Sequence, residues 1–280
     1  MPDLLRGDVV NLADRGSFRL HRAGPEDAPV VVLVHGLAAS AELNWSSVIP
    51  ALRNDFRVIA ADVRGHGATT TAQRFTLEDA ADDIIALADA LSLDSFLIVG
   101  YSMGGAIAQL ACHRHAERVR GLVMCASSST FRQTWLERVM FAAFRPVRRA
   151  ASAMPADIAQ LVARQALVRV VPGSGDVIMK PEIAVDIGRV LEAAEALGTF
   201  DSHGWLNRVD VPSAVVVHLR DQLVPPDRQF ALAHALPQAT VHPFDGDHFG
   251  VVTRPEAFLS ALQAALRSVQ RGAVRWPRVC

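Results

Sequence analysis

The feature that most constrains the fold is a serine between two glycines, directly after an apolar run and directly before a helical pattern. The apolar run covers residues 96–99, the motif G-x-S-x-G covers 100–104 with Ser102 at its centre, and helical spacing follows over 105–111. In this context the serine lies at the tip of a sharp turn with its hydroxyl exposed. The helix N-terminus behind it supplies free N–H groups and partial positive charge. Because glycine and serine are common in turns, the motif needs partners elsewhere in the chain.

Strands alternate with helices in the first half of the chain. Apolar runs predict strands at 30–34, 57–61, 96–99 and 120–126, and residues 18–21 predict one arm of an early hairpin. Apolar periodicity predicts helices over 45–53, over 76–91 with Thr76 as N-cap, and from the serine motif to about His115. This alternation is typical of an α/β fold with a mostly parallel sheet and helices on both faces.

The alternation stops after residue 126 and resumes at residue 213. The clearest intervening helices are predicted at 156–171 and 182–197, with breaks at Pro146, Pro155 and 172–175. Further strands are predicted at 213–219 and 239–244, a closing helix at 256–269, and a frayed basic tail at 271–280. We therefore expect an α/β core formed by residues 1–127 and 211–280, and a helical cap, or lid, over 128–210.

A nucleophilic serine needs a base, and His248 is the best placed histidine. It lies in residues 245–250, the loop after the last predicted strand. Active sites of parallel sheets lie at the carboxyl ends of the strands, so this loop can reach the serine. The other histidines are predicted in turns, strands and a helix end, or lie in no motif. The alternative for His248 is a solvated loop histidine without a catalytic role.

The acid that orients His248 is predicted at the end of the preceding strand, where Asp221 lies. The other position considered, directly after the strand that ends at residue 126, contains only serine and threonine. Asp245 and Asp247 adjoin the histidine, but residues so close in sequence seldom aim at its ring. The alternative for Asp221 is a turn or helix N-cap aspartate.

Two backbone N–H groups are expected to stabilise the oxyanion that forms when Ser102 attacks a carbonyl. One belongs to Met103, directly after the serine, and the other to Leu37 in the loop after strand 30–34. Gly36 lets that loop approach the substrate closely. The glycine-rich H-G-G-G form of this loop is absent.

Taken together, these motifs resemble those of the α/β-hydrolase superfamily. The matching residues are His35-Gly36, the segment 62–67 (Asp-Val-Arg-Gly-His-Gly), the segment 100–105, Asp221 followed by Val224-Pro225, and Gly246-Asp247-His248. The match covers nearly all of residues 18–127 and 211–270, and the order Ser102, Asp221, His248 is the order expected of this architecture.

The resemblance is strongest to small capped serine hydrolases, namely carboxylesterases, enol-lactonases and carbon–carbon bond hydrolases. It implies an eight-stranded mostly parallel sheet, no cofactor and a structural role for the tight loop 62–67. Serine at position 102 argues against haloalkane dehalogenases and epoxide hydrolases, which carry aspartate there.

Three functions follow from these motifs. The first is an esterase that forms an acyl-enzyme on Ser102. The second keeps the same three residues but acts on a lactone or on a carbon–carbon bond beside a ketone. The third is a non-catalytic ligand receptor or scaffold; such proteins often lose one of the three residues, and this chain keeps all of them.

The predicted cap contains a segment in which aromatic and aliphatic residues alternate with arginines, over 131–149. One interpretation is an amphipathic helix with a solvated basic face. The other is a mouth for acyl chains or for amphiphiles with an acidic head, at a lipid surface. We predict that Trp135 and Phe141 from this segment, with Phe249 beside the base, contribute to the substrate pocket.

Composition excludes several function classes. A net charge of −1 and a pI near 6.8 give no reason to expect nucleic-acid binding, and no apolar run is long enough to insert stably in a membrane. Cys112, Cys125 and Cys280 form neither a disulfide framework nor a metal motif, and no signal-peptide pattern occurs near the start. We therefore expect a cytoplasmic enzyme that acts on a small molecule without a metal or cofactor. The oligomeric state is not predicted.

Overall fold

The computed structural model describes residues 7–71, 73–170 and 186–275 of the 280-residue chain. One eight-stranded sheet has the order β1-β2-β4-β3-β5-β6-β7-β8. Its strands are β1 Asp8–Leu12, β2 Gly16–Ala23, β3 Val30–Val34, β4 Arg57–Ala61, β5 Phe96–Tyr101, β6 Val119–Cys125, β7 Ser213–His218 and β8 Ala239–Phe244. β1, β2 and β4 pair antiparallel, and every other neighbouring pair is parallel. The predicted α/β fold with a mostly parallel eight-stranded sheet is confirmed.

Strand β1 was not predicted, for a physical reason. Its residues Asp8–Leu12 are exposed or half-buried at the edge of the sheet. An edge strand of this kind needs no apolar run, because its outer side meets water. Only its pairing with β2 reveals it.

The helices are α1 Ala41–Trp45, α2 Ile49–Leu52, α3 Leu77–Ala90, α4 Met103–Arg114, α5 Trp135–Ala151, α6 Ala156–Val170, α7 Ile187–Leu197, α8 Pro226–Ala235, α9 Gly250–Thr253 and α10 Pro255–Arg275, with a 3₁₀ turn at Leu206–Arg208. Thr76 is the N-cap of α3, as predicted. The single helix expected over 45–53 is instead two short helices, because the Ser40 hydroxyl accepts the Leu43 N–H and starts α1 earlier.

The core lies in two apolar layers, one on each face of the sheet. Alternate residues of β3 divide between the layers, so that Val32 faces one and Val31 and Leu33 face the other. Helices α3, α4 and α8 cover the first layer, and α1, α2 and α10 cover the second. Helix α10 extends past the predicted end at residue 269, so residues 271–275 are helical instead of frayed, and residues 276–280 lie outside the described part.

Among the described residues, three helices, α5 to α7, lie between β6 and β7, where the helical cap was predicted, and we call these helices the cap. Helix α5 starts with a capping box of Thr134 and Glu137 and continues through Pro146, which was predicted to break it. Predicted segments 171–175 and 182–185 fall outside the described residues. The cap meets the core where Ala163 of α6 packs against Leu43 of α1.

Candidate active site

Ser102 lies between β5 and α4 with a strained backbone. Its φ is 53° and its ψ is −116°, a conformation that non-glycine residues rarely adopt. The Ser102 N–H donates to the Cys125 carbonyl at 2.9 Å, which holds the turn against β6. A Cβ atom on Gly100 would overlap the Gly104 carbonyl, and one on Gly104 would overlap the Val34 carbonyl. The two glycines therefore let the helix pack directly on the strands, and the turn presents the serine.

The structure brings the three predicted residues into one hydrogen-bonded chain. His248 Nε2 lies 3.0 Å from Ser102 Oγ, and His248 Nδ1 lies 2.7 Å from Asp221 Oδ2. Ser102 is 8 % exposed and Asp221 is 3 % exposed, so the aspartate is the more deeply buried of the two. This arrangement can move a proton from the serine to the imidazole.

The Asp221 carboxylate has a partner for each of its oxygens. Oδ1 accepts the N–H groups of Leu223 at 2.9 Å and Val224 at 2.8 Å, and Oδ2 accepts from His248 and from Gln229 Nε2 at 3.3 Å. These hydrogen bonds fix the direction in which Oδ2 faces the imidazole.

The two aspartates beside His248 are occupied elsewhere. Asp245 forms an exposed ion pair with Arg220 at 2.6 Å, and the arginine hydrogen bond lowers the pKa of its carboxyl group. Asp247 Oδ1 accepts the Phe249 N–H at 2.9 Å. Among these three carboxylates, only Asp221 contacts the imidazole.

Tyr101 holds His248 from the other side, and sequence reasoning missed it. Its hydroxyl donates to the His248 carbonyl at 2.6 Å, and its ring meets the imidazole edge-on with centroids 5.9 Å apart. Burial raises the pKa of Tyr101 well above its usual value, so the hydroxyl keeps the proton that it donates. Its place directly before the serine was the available signal, because the last residue of a buried parallel strand lies at the carboxyl edge of the sheet, where active sites form.

The predicted oxyanion donors lie on either side of the serine. Met103 is the first residue of α4, so its N–H has no acceptor within the helix. The Leu37 N–H donates to no acceptor in the described part of the chain. Asn44 Oδ1 accepts the Gly36 N–H at 2.8 Å and orients the loop that carries Leu37. A Cβ on Gly36 would lie 3.4 Å from Ser102 Cβ, so this loop passes close to Ser102.

A cleft with a cavity volume of about 50 Å³ opens above the serine and histidine. Its walls come from the loop that carries Leu37 (the oxyanion loop), from α1, from the turn at Ser102 (the elbow), and from α9 with the loop before it; they are Gly36, Leu37, Ala38, Ala39, Leu43, Asn44, Tyr101, Ser102, His248, Phe249, Val251 and Val252. Phe249, a predicted pocket residue, lies in this lining. Sequence reasoning missed the wall from α1, although the Ser40 cap signal marked that helix.

The structure does not bring Trp135 and Phe141 to this cleft. Trp135 is 74 % exposed on the outer side of α5, and Phe141 packs against Gly198 and Phe144 inside the cap. The prediction assumed that the aromatic side of this segment faces the core. Helix α5 instead uses Glu137, Phe141 and Phe144 on its inner side, and its exposed apolar side chains are Trp135, Leu136, Val139, Met140 and Val147.

The loop 62–67 braces the site, as its resemblance implied. Asp62 Oδ1 accepts the Ala41 N–H at 2.8 Å and Oδ2 accepts the Ala68 N–H at 2.9 Å, which ties the loop to α1. His35 Nε2 accepts the Val63 N–H at 2.9 Å and joins the loop to the end of β3. Gly67 has a φ of +56°, and a Cβ there would overlap the Asp62 carboxylate.

Three buried histidines make the fold sensitive to acid. Burial lowers the pKa of His35, His66 and His218 to about 4 in each case. The same groups have a pKa near 6.5 in the unfolded chain. Between about pH 6.5 and 4 the unfolded state therefore binds more protons, so the free energy of unfolding falls as the pH falls. Each histidine contributes up to about 1.4 kcal/mol per pH unit in that window.

We predict a loss of stability on going from about pH 7 to pH 4.5, measurable as urea-unfolding free energies at several pH values. His66→Gln is expected to make this loss shallower, because glutamine takes up no proton. His234→Gln is the matched control, since His234 is exposed on α8. An equal pH dependence for wild type and His66→Gln would contradict the prediction.

A second serine–histidine–aspartate chain lies away from the cleft. Ser129 Oγ is 2.9 Å from His203 Nε2, and His203 Nδ1 is 2.7 Å from Asp201 Oδ1. Ser129 lacks the positive φ and the helix N-terminus that Ser102 has. A β-bridge between Thr130 and Asp201 places these three side chains where the polypeptide enters and leaves the cap. It therefore ties the two cap connections together.

Comparison with known proteins agrees with this geometry. The family model for the alpha/beta hydrolase fold matches residues 29–166, which include β3, the oxyanion loop and the elbow. The Magnesium-chelatase 30 kDa subunit of Rhodobacter capsulatus is 32% identical over 80% of this chain and 82% of its own length. The chain belongs to the α/β-hydrolase family.

Other relatives of this α/β-hydrolase have hydrolase names. The poly(3-hydroxyalkanoate) depolymerase of Ectopseudomonas oleovorans is 26% identical over 96% of this chain and 95% of its own. The crystal structure of the enol-lactonase from Burkholderia xenovorans superposes with a TM-score of 0.75 at 22% identity, and covers 93% of this chain and 100% of that one. The family and these relatives support the prediction of a hydrolase.

Proposed function

We propose that this α/β-hydrolase cleaves esters of small or medium hydrophobic acids through an acyl-enzyme on Ser102. The observation that carries the proposal is the hydrogen-bonded chain from Asp221 through His248 to Ser102, with the serine facing a largely apolar cleft. An acid, a base and a nucleophilic serine joined in this way are a set of groups that performs acyl transfer.

In the first half of the reaction, His248 Nε2 takes the Ser102 proton while Oγ attacks the ester carbonyl. The negative charge that develops on the carbonyl oxygen is stabilised by the N–H groups of Leu37 and Met103. When the tetrahedral intermediate collapses, the carbon–oxygen bond to the alcohol breaks, and the imidazolium gives its proton to the leaving alcohol.

In the second half, His248 takes a proton from water, and the hydroxide oxygen attacks the acyl carbonyl. Collapse of this intermediate breaks the bond to Ser102, and the proton returns to Oγ, so that the acid is released and the enzyme is restored. Asp221 stays ionised throughout. It keeps the other imidazole proton on Nδ1 and stabilises the positive charge that forms on the ring.

The cleft sets the size and polarity of the acyl group. Its cavity volume of about 50 Å³ is small and favours a short acyl group. Leu37, Leu43, Phe249 and Val252 supply apolar surface, and α6 packs beside Leu43 through Ala163. A short hydrophobic acyl chain fits these walls better than a charged one, which would lose its hydration without finding a partner.

Lactone hydrolysis is the second candidate, and the likeness to the solved enol-lactonase favours it. A lactone is an internal ester, so the same residues would open it, and the leaving alcohol would remain attached to the acyl group. Cleavage of a carbon–carbon bond beside a ketone uses the same three residues. The three substrates differ in the contacts that the cleft and the cap make with them.

A substrate panel tests these alternatives. We expect hydrolysis of p-nitrophenyl esters with four- to eight-carbon acyl chains, with an initial burst of p-nitrophenol if the acyl-enzyme accumulates. The same enzyme sample is then given lactones and acyl-ketones of matched size, with Ser102→Ala as the blank. A higher kcat/KM for a lactone or acyl-ketone than for every ester would replace the ester proposal.

The panel also tests a non-catalytic role. One relative is named as a subunit of magnesium chelatase, so a binding or assembly function belongs in the comparison. Such a protein would turn over none of the three substrate classes faster than its Ser102→Ala variant. That result would refute the proposed hydrolysis itself.

A further inference from the structure

Helix α5 of the cap exposes an apolar surface that packing leaves uncovered. None of its side chains is buried. Its five largest outward apolar side chains are between 47 and 74 % exposed; they are Trp135, Leu136, Val139, Met140 and Val147. Exposed apolar residues scattered singly need no explanation, but a contiguous set on one element marks an interaction site.

The five side chains share one side of the helix. Leu136, Met140 and Val147 are spaced by four and seven residues, so they lie in one row, and Trp135 and Val139 form the neighbouring row. The inner side of α5, which packs on α7, carries Phe141 and Phe144. We call the outer apolar rows, with the arginines beside them, the α5 outer face.

The charged side chains of α5 also differ between its inner and outer sides. Its one acidic side chain, Glu137, turns inward and pairs with Arg228 at 2.6 Å, and Arg148 pairs with Glu195 of α7 at 2.8 Å. Arg138, Arg145 and Arg149 remain on the row beside Trp135 and Val139 and are exposed; their spacing is seven and four residues. In the described part of the chain no carboxylate pairs with these three arginines. The α5 outer face is therefore apolar and cationic.

We propose that the α5 outer face docks on the surface of an anionic lipid bilayer. An amphipathic helix with arginines and a tryptophan on one side lies in the plane of the interface, with its apolar side in the headgroup region and its cations beside the lipid phosphates. In the described residues no helix is both long and apolar enough to cross a membrane. The helix therefore lies on the bilayer, and the hydrolase domain remains in water.

A second copy of the chain fits this face less well. Two α5 outer faces packed together would bring their arginine rows close to each other without acidic partners, and like charges at short range repel. An anionic bilayer accommodates both parts of this face. Its charged headgroups pair with the arginines, and its headgroup–acyl boundary takes up the apolar rows. The binding depends on charge and is expected to weaken as the salt concentration rises.

The test is co-sedimentation of the full chain with vesicles of phosphatidylglycerol and phosphatidylcholine, compared with vesicles of phosphatidylcholine alone. We expect binding to the anionic vesicles that is lost at high salt. Arg145→Glu/Arg149→Glu is expected to weaken it at least about 30-fold, since each basic residue near such a surface contributes about a factor of five or more. Trp135→Ser/Leu136→Ser is expected to weaken it by removing the inserted side chains.

Two matched variants control for overall charge and folding. Arg267→Glu/Arg271→Glu changes the same number of charges at the same spacing on the exposed side of α10, and Val9→Ser removes an exposed apolar residue from β1. Both are expected to bind like the wild type. Hydrolysis of a water-soluble p-nitrophenyl ester should be unchanged in all four variants.

Vesicle binding does not depend on the proposed chemistry, so Ser102→Ala is expected to bind as the wild type does. Three results would overturn the docking proposal. The first is no binding of the wild type to anionic vesicles at low salt, and the second is equal weakening by the α10 pair. The third is a dimer, seen by light scattering, that Trp135→Ser/Leu136→Ser abolishes while the vesicles leave the wild type in solution.

Discussion

Ser102→Ala is expected to lower kcat for a p-nitrophenyl ester by on the order of 10⁴–10⁶ while the protein keeps its fold. The reason is that Ser102 Oγ is the only atom placed to donate to His248 Nε2 in the described structure, at 3.0 Å. Alanine removes the oxygen without changing the turn, since it too carries a Cβ at the positive φ. Steady-state kinetics and the melting temperature of the variant check both parts of this expectation.

Ser129→Ala is the matched control, because Ser129 also has a histidine and an aspartate in series. It lies away from the cleft and is expected to keep wild-type kcat. A fluorophosphonate should label the wild type at Ser102 alone, as located by peptide mass mapping. If Ser102→Ala keeps more than about a tenth of the activity, the serine mechanism is wrong.

Asp221→Asn is expected to lower kcat by as much as roughly 10⁴-fold. The amide can present an N–H to His248 Nδ1, which favours the imidazole tautomer with its proton on Nε2. That tautomer cannot accept the Ser102 proton. The remaining carbonyl oxygen of the asparagine can still accept the N–H groups of Leu223 and Val224, so the loop should stay folded.

Asp247→Asn is the control for this substitution. Asp247 Oδ1 accepts only the neighbouring Phe249 N–H and makes no contact with the imidazole, so near-normal kcat is expected. The two variants and the wild type are compared by kcat and by thermal unfolding. A severe loss in Asp247→Asn together with a near-normal Asp221→Asn would move the acid into the loop beside His248.

Much of the fold and of the candidate site could be predicted because the signals are local. A buried parallel strand reads as a continuous apolar run, and β3 and β4 begin and end where the predicted runs do. Thr76 was predicted as an N-cap because helices favour, at this position, a side chain that accepts a hydrogen bond from a backbone N–H group. The residues Ser102, Asp221 and His248 each follow a strand, and parallel strands bring such positions to one edge of the sheet.

Predictions about the cap were less accurate because helix α5 carries apolar residues on both its inner and its outer side. The apolar pattern of 135–151 predicts a helix but does not say which side meets the core. Trp135 was therefore expected at the pocket, and the structure places it in solvent. The break expected at Pro146 is absent. The proline removes one backbone hydrogen bond, and the helix continues on both sides of it.

The amino-acid sequence by itself determined the elbow, the order of the three site residues and the alternation of strand and helix. These depend on spacings of a few residues, over which backbone geometry is nearly fixed. Only the tertiary structure decided which of three aspartates meets His248, that Tyr101 supports it, that α1 lines the cleft and that the α5 outer face meets solvent. Each of these depends on how closely segments far apart in the chain approach one another, and that distance is set by the packing of the whole core.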